Sequence, residues 1–185
     1  MASIGLKSFL YGEFYEEKGT YEDPKKLAGA IEFQESLTTN DAKLYADDVL
    51  QESDTSVSGG TITLGIDDDD DAIFSPLLGK TVTKIMLEEE SIDVSVSNTE
   101  DDPKAVGFGY ITKKTKGKYK VNFYPKIKFS PYNLEARTKE ESLEYTTPSV
   151  EGTLFPLENG DYKKEATVDS EEKAVKLLKS FFVTE

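Results

Sequence analysis

The sequence predicts a mainly β domain with a C-terminal α-helix and one short internal helix. Three observations predict it. Residues alternate apolar and polar with period two at Leu27–Leu37, Thr61–Ile66 and Tyr119–Phe129, as half-buried strands do. Turn-forming pairs such as Asp23-Pro24, Gly59-Gly60, Lys116-Gly117 and Asn159-Gly160 separate these runs. A helical stripe appears clearly only at the end, at Ala174, Val175, Leu177, Leu178, Phe181 and Phe182.

The bulk composition sets outer bounds. A chain of 185 residues suits one domain, 1–185. Ten Phe and ten Tyr supply a core and argue against full disorder. No apolar run approaches the roughly 18 residues of a membrane helix. Met1–Leu10 has one Lys and no long apolar region, which argues against a signal peptide. The chain carries −14, which disfavours general phosphate binding. Charge is also unevenly spread, with eight Lys and no acid from Pro103 to Leu134, leaving −22 on the rest. Two such regions can meet head-to-tail between subunits; the plainer reading is two solvated faces.

Taken in order, Phe9, Tyr11, Glu13 and Tyr15 alternate with Leu10, Gly12 and Phe14, and their aromatics suit a strand. Leu27–Leu37 puts Ile31, Phe33 and Leu37 on one face and Glu32, Gln34 and Ser36 on the other, with Glu35 out of place. Asp41–Glu52 has two readings. Ala42, Tyr45 and Val49 fall at helical spacing, whereas Leu44, Ala46 and Leu50 fall at strand spacing, interrupted by Asp48. Gly59-Gly60 turns into Thr61–Ile66, where Ile62, Leu64 and Ile66 share a face.

The run Asp67–Asp71 lacks the alternating ligand spacing of a calcium loop. It fits better as a cap for a short helix around Asp70–Leu78, ending at Gly79, with Pro76 limiting its regularity. Ile92, Val94 and Val96 alternate as a strand, and Gly107–Thr112 follows as another. Tyr119, Val121, Phe123, Pro125, Ile127 and Phe129 occupy odd positions against Lys118, Lys120, Asn122, Tyr124, Lys126 and Lys128. Pro125 cannot donate to a ladder, so that strand is at an edge or bulged. Pro131–Glu141 reads as a charged loop and Ser142–Phe155 as extended chain. Asp169 with Glu172 resembles a capping box for the last helix.

The absence of His and Cys excludes Ser-His-Asp and Cys-His catalysis and thiolate metal sites. Among 36 acids some carboxylate pair is guaranteed and carries no information. Gly107-Phe108-Gly109 lacks the third Gly of a dinucleotide motif and reads as a strand whose backbone is closely approached. The residues point away from an enzyme and imply no cofactor. A β-sandwich binding or adhesion module remains open, with Tyr45, Tyr110, Tyr124 and Tyr132 as a ligand platform; ordinary strand aromatics explain them more simply.

The phrases TNDAKLYADD, ESDTSVSGGTITLGIDD, VGFGY and FYPKIKF, in this order, resemble the major tail tube proteins of long-tailed, non-contractile phages of Gram-positive bacteria. The resemblance covers nearly the whole chain. It implies a β-sandwich or barrel with a flanking helix, and hexameric rings stacked into a hollow tube. It implies assembly around a tape-measure protein, contacts with tail-tip and terminator proteins, and passage of DNA without binding. Synthesis in the host cytoplasm, residence in the virion and no membrane partner follow from it. It makes 38–56 an extended arm of strand and loop, with Thr39, Asn40, Asp41, Lys43, Tyr45, Asp47 and Asp48 in contact between rings. A DNA-conducting wall should repel phosphate, so the polar face Glu32, Gln34 and Ser36 is expected there, with Thr147, Ser149 and Glu151 from the later strand. Lys118, Lys120, Lys126 and Lys128 are expected to meet acids of a neighbouring subunit.

Overall fold

The computed structural model describes residues 2–46, 49–132 and 147–183, with backbone alone for 42–46 and 49–54. Thirteen strands and two helices follow in chain order among these residues. They are β1 (Ser3–Tyr15), β2 (Thr20–Tyr21), β3 (Lys25–Lys26), β4 (Ala30–Thr39), β5 (Ala42–Ala46), β6 (Val49–Asp54), β7 (Val57–Ile66) and α1 (Asp71–Leu77). After them come β8 (Thr81–Leu87), β9 (Glu90–Val96), β10 (Ala105–Lys114), β11 (Tyr119–Phe129), β12 (Ser149–Leu154), β13 (Lys164–Val168) and α2 (Glu171–Ser180). The protein is mainly β, with a short internal helix and a C-terminal one.

Nine strands form one antiparallel sheet in the order β2-β1-β10-β11-β12-β7-β4, with β13 also on β11 and β3 on β1. β11 is the strand on which this sheet turns. Its first half pairs with β13 and its last residues pair with β12. Pro125 lies where the register between β10 and β11 slips, because its missing N–H removes a ladder bond. The slip reverses the faces of the strand. Val121 and Phe123 face α2, whereas Tyr124, Ile127 and Phe129 face the main core. The odd-position pattern is therefore two half-patterns joined at a bulge, and not one face.

The sheet folds over itself around that main core. Ile62, Leu64 and Ile66 of β7 and Val150 and Leu154 of β12 pack against Phe9 of β1 and Val106 and Phe108 of β10. Phe33 of β4 completes the closure, its ring 4.2 Å from that of Tyr110 and 5.8 Å from that of Tyr124. Ile31 and Leu37 do not join it. A register slip between Ala30 and Glu32 leaves Ile31 as the extra residue, half exposed, and Leu37 lies beyond the core. Glu35, out of place in the sequence pattern, shares the inner side with Phe33.

The acid run is absorbed by local structure. Asp70 caps α1 through the amide of Ala72 (2.9 Å), Asp67 accepts from the amide of Gly29 (2.5 Å), and Asp69 accepts from the hydroxyl of Tyr132 (2.9 Å). Gly79, at φ +72, ends the helix beside Leu78, and the amide of Lys80 reaches the carbonyl of Ser75. At α2 the cap is Ser170, one residue later than expected, its hydroxyl accepting from the amide of Lys173. Ala174, Leu178 and Phe182 are buried on Ile111, Val121 and Phe123. Gly109 makes this seat possible, and Gly107 makes room for Tyr21 beside it. A Cβ at Gly107 would lie 2.6 Å from the ring of Tyr21, and one at Gly109 would collide with Leu178.

Candidate assembly surfaces

The outer side of β4, β7 and β12 carries no covering element among the described residues. Backbone pairing sets Glu32, Gly65 and Ser149 in one row and Gln34, Thr63 and Glu151 in the next. Ser36, Thr61, Thr153 and Lys128 of β11 form a third. Glu32, Gln34, Ser36, Ser149 and Glu151 are all exposed, and Thr147 is exposed just before β12. Residues 117 positions apart in sequence thus share one row of a polar face, because strict alternation sends their neighbours Phe33, Leu64 and Val150 inward. Gln34 donates to Glu32 at 2.7 Å. β4 pairs only with β7 among the described residues, so its far edge is open.

Beyond this face the β4–β7 pair continues as a second, separate hairpin. β5 and β6 pair from Ala42↔Asp54 to Ala46↔Val49. Strand geometry thus prevails over the helical spacing in 42–46, because two paired segments satisfy each other's backbone groups. The joint is pinned by Asn40, whose amide meets the carbonyl of Ser56 (2.8 Å) and whose side chain meets the hydroxyl of Ser56 (2.9 Å). Thr39 and Asp41 flank this joint and are exposed. Lys43 and Tyr45 lie on β5, and Asp47 and Asp48 lie outside the described residues.

The lysines divide into two groups. Lys120 meets Glu165 at 2.6 Å, Lys126 meets Glu16 at 2.5 Å and Lys128 meets Asp102 at 3.2 Å, all within the chain. Lys126 holds the carboxyl of Glu16 below its ordinary pKa through this hydrogen bond. Lys118, like Lys113 and Lys116, forms no ion pair among the described residues. These three lysines stand at the β10–β11 turn, which Lys116 and Gly117 close at φ +68 and +70.

One cluster was invisible in the sequence pattern. Lys163 places its ammonium 2.8 Å from Glu35 and 3.1 Å from Glu165, over the ring of Tyr124 at 5.3 Å. Burial works against the charge of Lys163, but bonds from Glu35 and Glu165 more than offset it and raise its pKa. Glu165 is held below its ordinary value, first by Lys120 and then by Lys163. Burial raises the pKa of Tyr110 to about 12 and raises that of Tyr124 further. This network ties β4 to the start of β13. The signal was Glu35 itself, the one acid on an apolar face.

The tyrosine platform does not form. Tyr110 and Tyr124 are buried, and Tyr132 is half-buried with its hydroxyl on Asp69. Tyr45 lies on β5, where only the backbone is described. A cleft of about 350 Å³ exists elsewhere, lined by Phe14, Tyr21, Leu157 and Lys164, with the Glu16–Lys126 pair in its wall. No helix among the described residues is long and apolar enough to cross a membrane. No model of a known protein family matches the chain, and no curated protein matches it.

Proposed function

We propose that this chain is the subunit of a phage tail tube, assembling into stacked hexameric rings through which DNA is delivered. The observation that carries the reading is the three-strand polar face on β4, β7 and β12, together with the sequence phrases that resemble the family. A face of Thr, Ser, Gln and Glu stays hydrated and presents no cluster of cations to phosphate, the lysine in its last row, Lys128, being paired with Asp102. Glu32, Gln34, Ser36, Thr147, Ser149 and Glu151 line the lumen in this reading. The tape-measure protein occupies it during assembly, and tail-tip and terminator proteins close the tube ends.

The mechanism is assembly without catalysis or cofactor. The open edge of β4 accepts a neighbour's strand, and ring closure removes the exposed edge. Stacking needs a second, heterologous contact along the axis. The arm 38–56, which carries the β5–β6 hairpin, supplies part of it in this reading. The chain resides in the virion and has no membrane partner in this reading. Sizing with mass measurement at rising concentration tests the proposal. Six-subunit rings or longer tubes are expected; a monomer at every salt and concentration contradicts it.

A further inference from the structure

Resting on that reading, we infer that the β8–β9 hairpin, Thr81–Val96, docks on the β10–β11 turn of a second copy of this chain. β8 and β9 pair only with each other among the described residues, over seven residue pairs from Thr81↔Val96 to Leu87↔Glu90. A two-stranded hairpin alone is marginal in water. This one is joined to the body at its base, where Ser95 and the buried Ser75 of α1 share a hydrogen bond of 2.6 Å.

Its two faces differ in degree. One side carries Lys84, Asp93, Ser91 and Ser95 together with Val82 and Met86; the other carries Ile85, Leu87, Ile92 and Val96, which are 54, 62, 42 and 45% exposed, with Glu90 at its end. Contiguous exposed apolar surface of this kind marks an interaction site. The tip is Glu88-Glu89-Glu90, and the hairpin as a whole carries one lysine against four acids, a net −3. Glu88 stands at φ +54, where Gly or Asn would fit more easily.

The complementary surface lies at the far end of β10 from the hairpin base. The hairpin base adjoins the start of β10, where the amide of Lys104 meets the carbonyl of Leu77. The β10–β11 turn closes the far end of that ten-residue strand, roughly 30 Å away. There Lys113, Lys116 and Lys118 form no ion pair among the described residues, and Ile4 of β1 is 61% exposed beside Lys113 and Lys114. An acidic tip with an apolar face thus matches a basic turn with an apolar neighbour. Because the hairpin base and that turn lie at opposite ends of β10, one copy can use both at once. Such head-to-tail contacts propagate. Opposed charge steers the encounter and fixes its register, and the apolar contact holds it.

The chain has no Cys, so an engineered pair reports without background. Leu87→Cys with Lys118→Cys in one full-length chain, oxidised at assembling concentration, should give a ladder of covalent dimers, trimers and higher species. Either substitution alone should give no ladder. Separately, Glu88→Lys with Glu89→Lys should weaken association at least tenfold at low salt, as should Lys116→Glu with Lys118→Glu. All four together should restore it, with melting temperatures unchanged throughout. Normal association in both reversed variants assigns the hairpin face to another chain or to none, and overturns the inference while leaving the tube reading intact. A chain that never associates overturns both.

Discussion

The outer side of the sheet has two halves, and among the described residues only one of them is covered. Over β1, β10 and β11 the outward positions are Leu10, Ile111, Val121 and Phe123, and α2 lies across them. Over β4, β7 and β12 the outward positions are Glu32, Gln34, Ser36, Thr61, Thr63, Ser149, Glu151 and Thr153, and nothing in the described residues lies across them. The halves meet on β11, where the register slip at Pro125 exchanges the faces of the strand, so that Val121 and Phe123 lie under α2 and Lys128 falls in a row of the bare side. The side chains match what each half faces. The covered half needs apolar residues plus Gly109, which lets α2 sit close. The bare half needs a polar surface stable against water for as long as it stays bare. A β8–β9 hairpin with an apolar face follows neither rule, which is why a partner is assigned to it.

The largest expected effect breaks the covered half. Leu178→Ala removes a fully buried side chain seated on Gly109, and should cost about 2–5 kcal/mol in denaturant unfolding. The matched change on the bare half, Thr63→Ala, should stay within about 0.5 kcal/mol. Equal costs would erase the distinction between the halves.

A smaller effect concerns the clamp between them. Lys163→Met leaves Glu35 and Glu165 without their shared cation in a site about one-fifth exposed, and should cost about 2 kcal/mol, less than a fully buried pair. Adding Glu35→Gln should recover part of that loss. A double variant whose loss is the sum of the single losses would show no coupling.

The same clamp sets a pH dependence. The folded pKa of Glu165 is depressed, so its contribution is present above the unfolded value near 4.5 and is lost as pH falls through the folded value. That of Lys163 is raised, so its contribution is present below 10.5 and is lost as pH rises through the folded value. The melting temperature should therefore be flat across neutral pH and fall below about pH 4.5. In Lys163→Met the acid limb should be shallower; an unchanged limb would remove the clamp from the account.

Much of this was legible in the sequence, and the misses have physical causes. Strict alternation at Thr61–Ile66 revealed both faces of β7, and Asp70 announced the cap of α1. Glu32, Gln34 and Ser36 fell on the exposed face because β4 alternates past Phe33. Ile31 did not fall on the buried face, because a bulge adds one residue to a ladder and period two has no way to signal it. Pro125 did signal its bulge, but not that the strand would change layers there. Tyr110 and Tyr124 read as surface aromatics because tertiary folding, and not local pattern, brings Phe33 across them. The ion cluster of Glu35, Lys163 and Glu165 joins residues 130 positions apart, beyond any local pattern.

The smallest effect on folding carries the sharpest functional prediction. Glu32→Lys with Gln34→Lys should change stability by no more than about 0.5 kcal/mol, since both sites are exposed. Tubes should still form, but DNA ejection should slow, more so at low salt, because clustered lysines bind phosphate. Ejection unchanged at low salt would take this face out of the lumen.

The most direct measurement is electron cryomicroscopy of the purified chain at high concentration. The account predicts sixfold rings or stacked tubes with Glu32, Gln34, Ser36 and Glu151 turned toward the axis and α2 on the outside. Rings with that polar face turned outward, or only monomers at every salt and concentration, would contradict it.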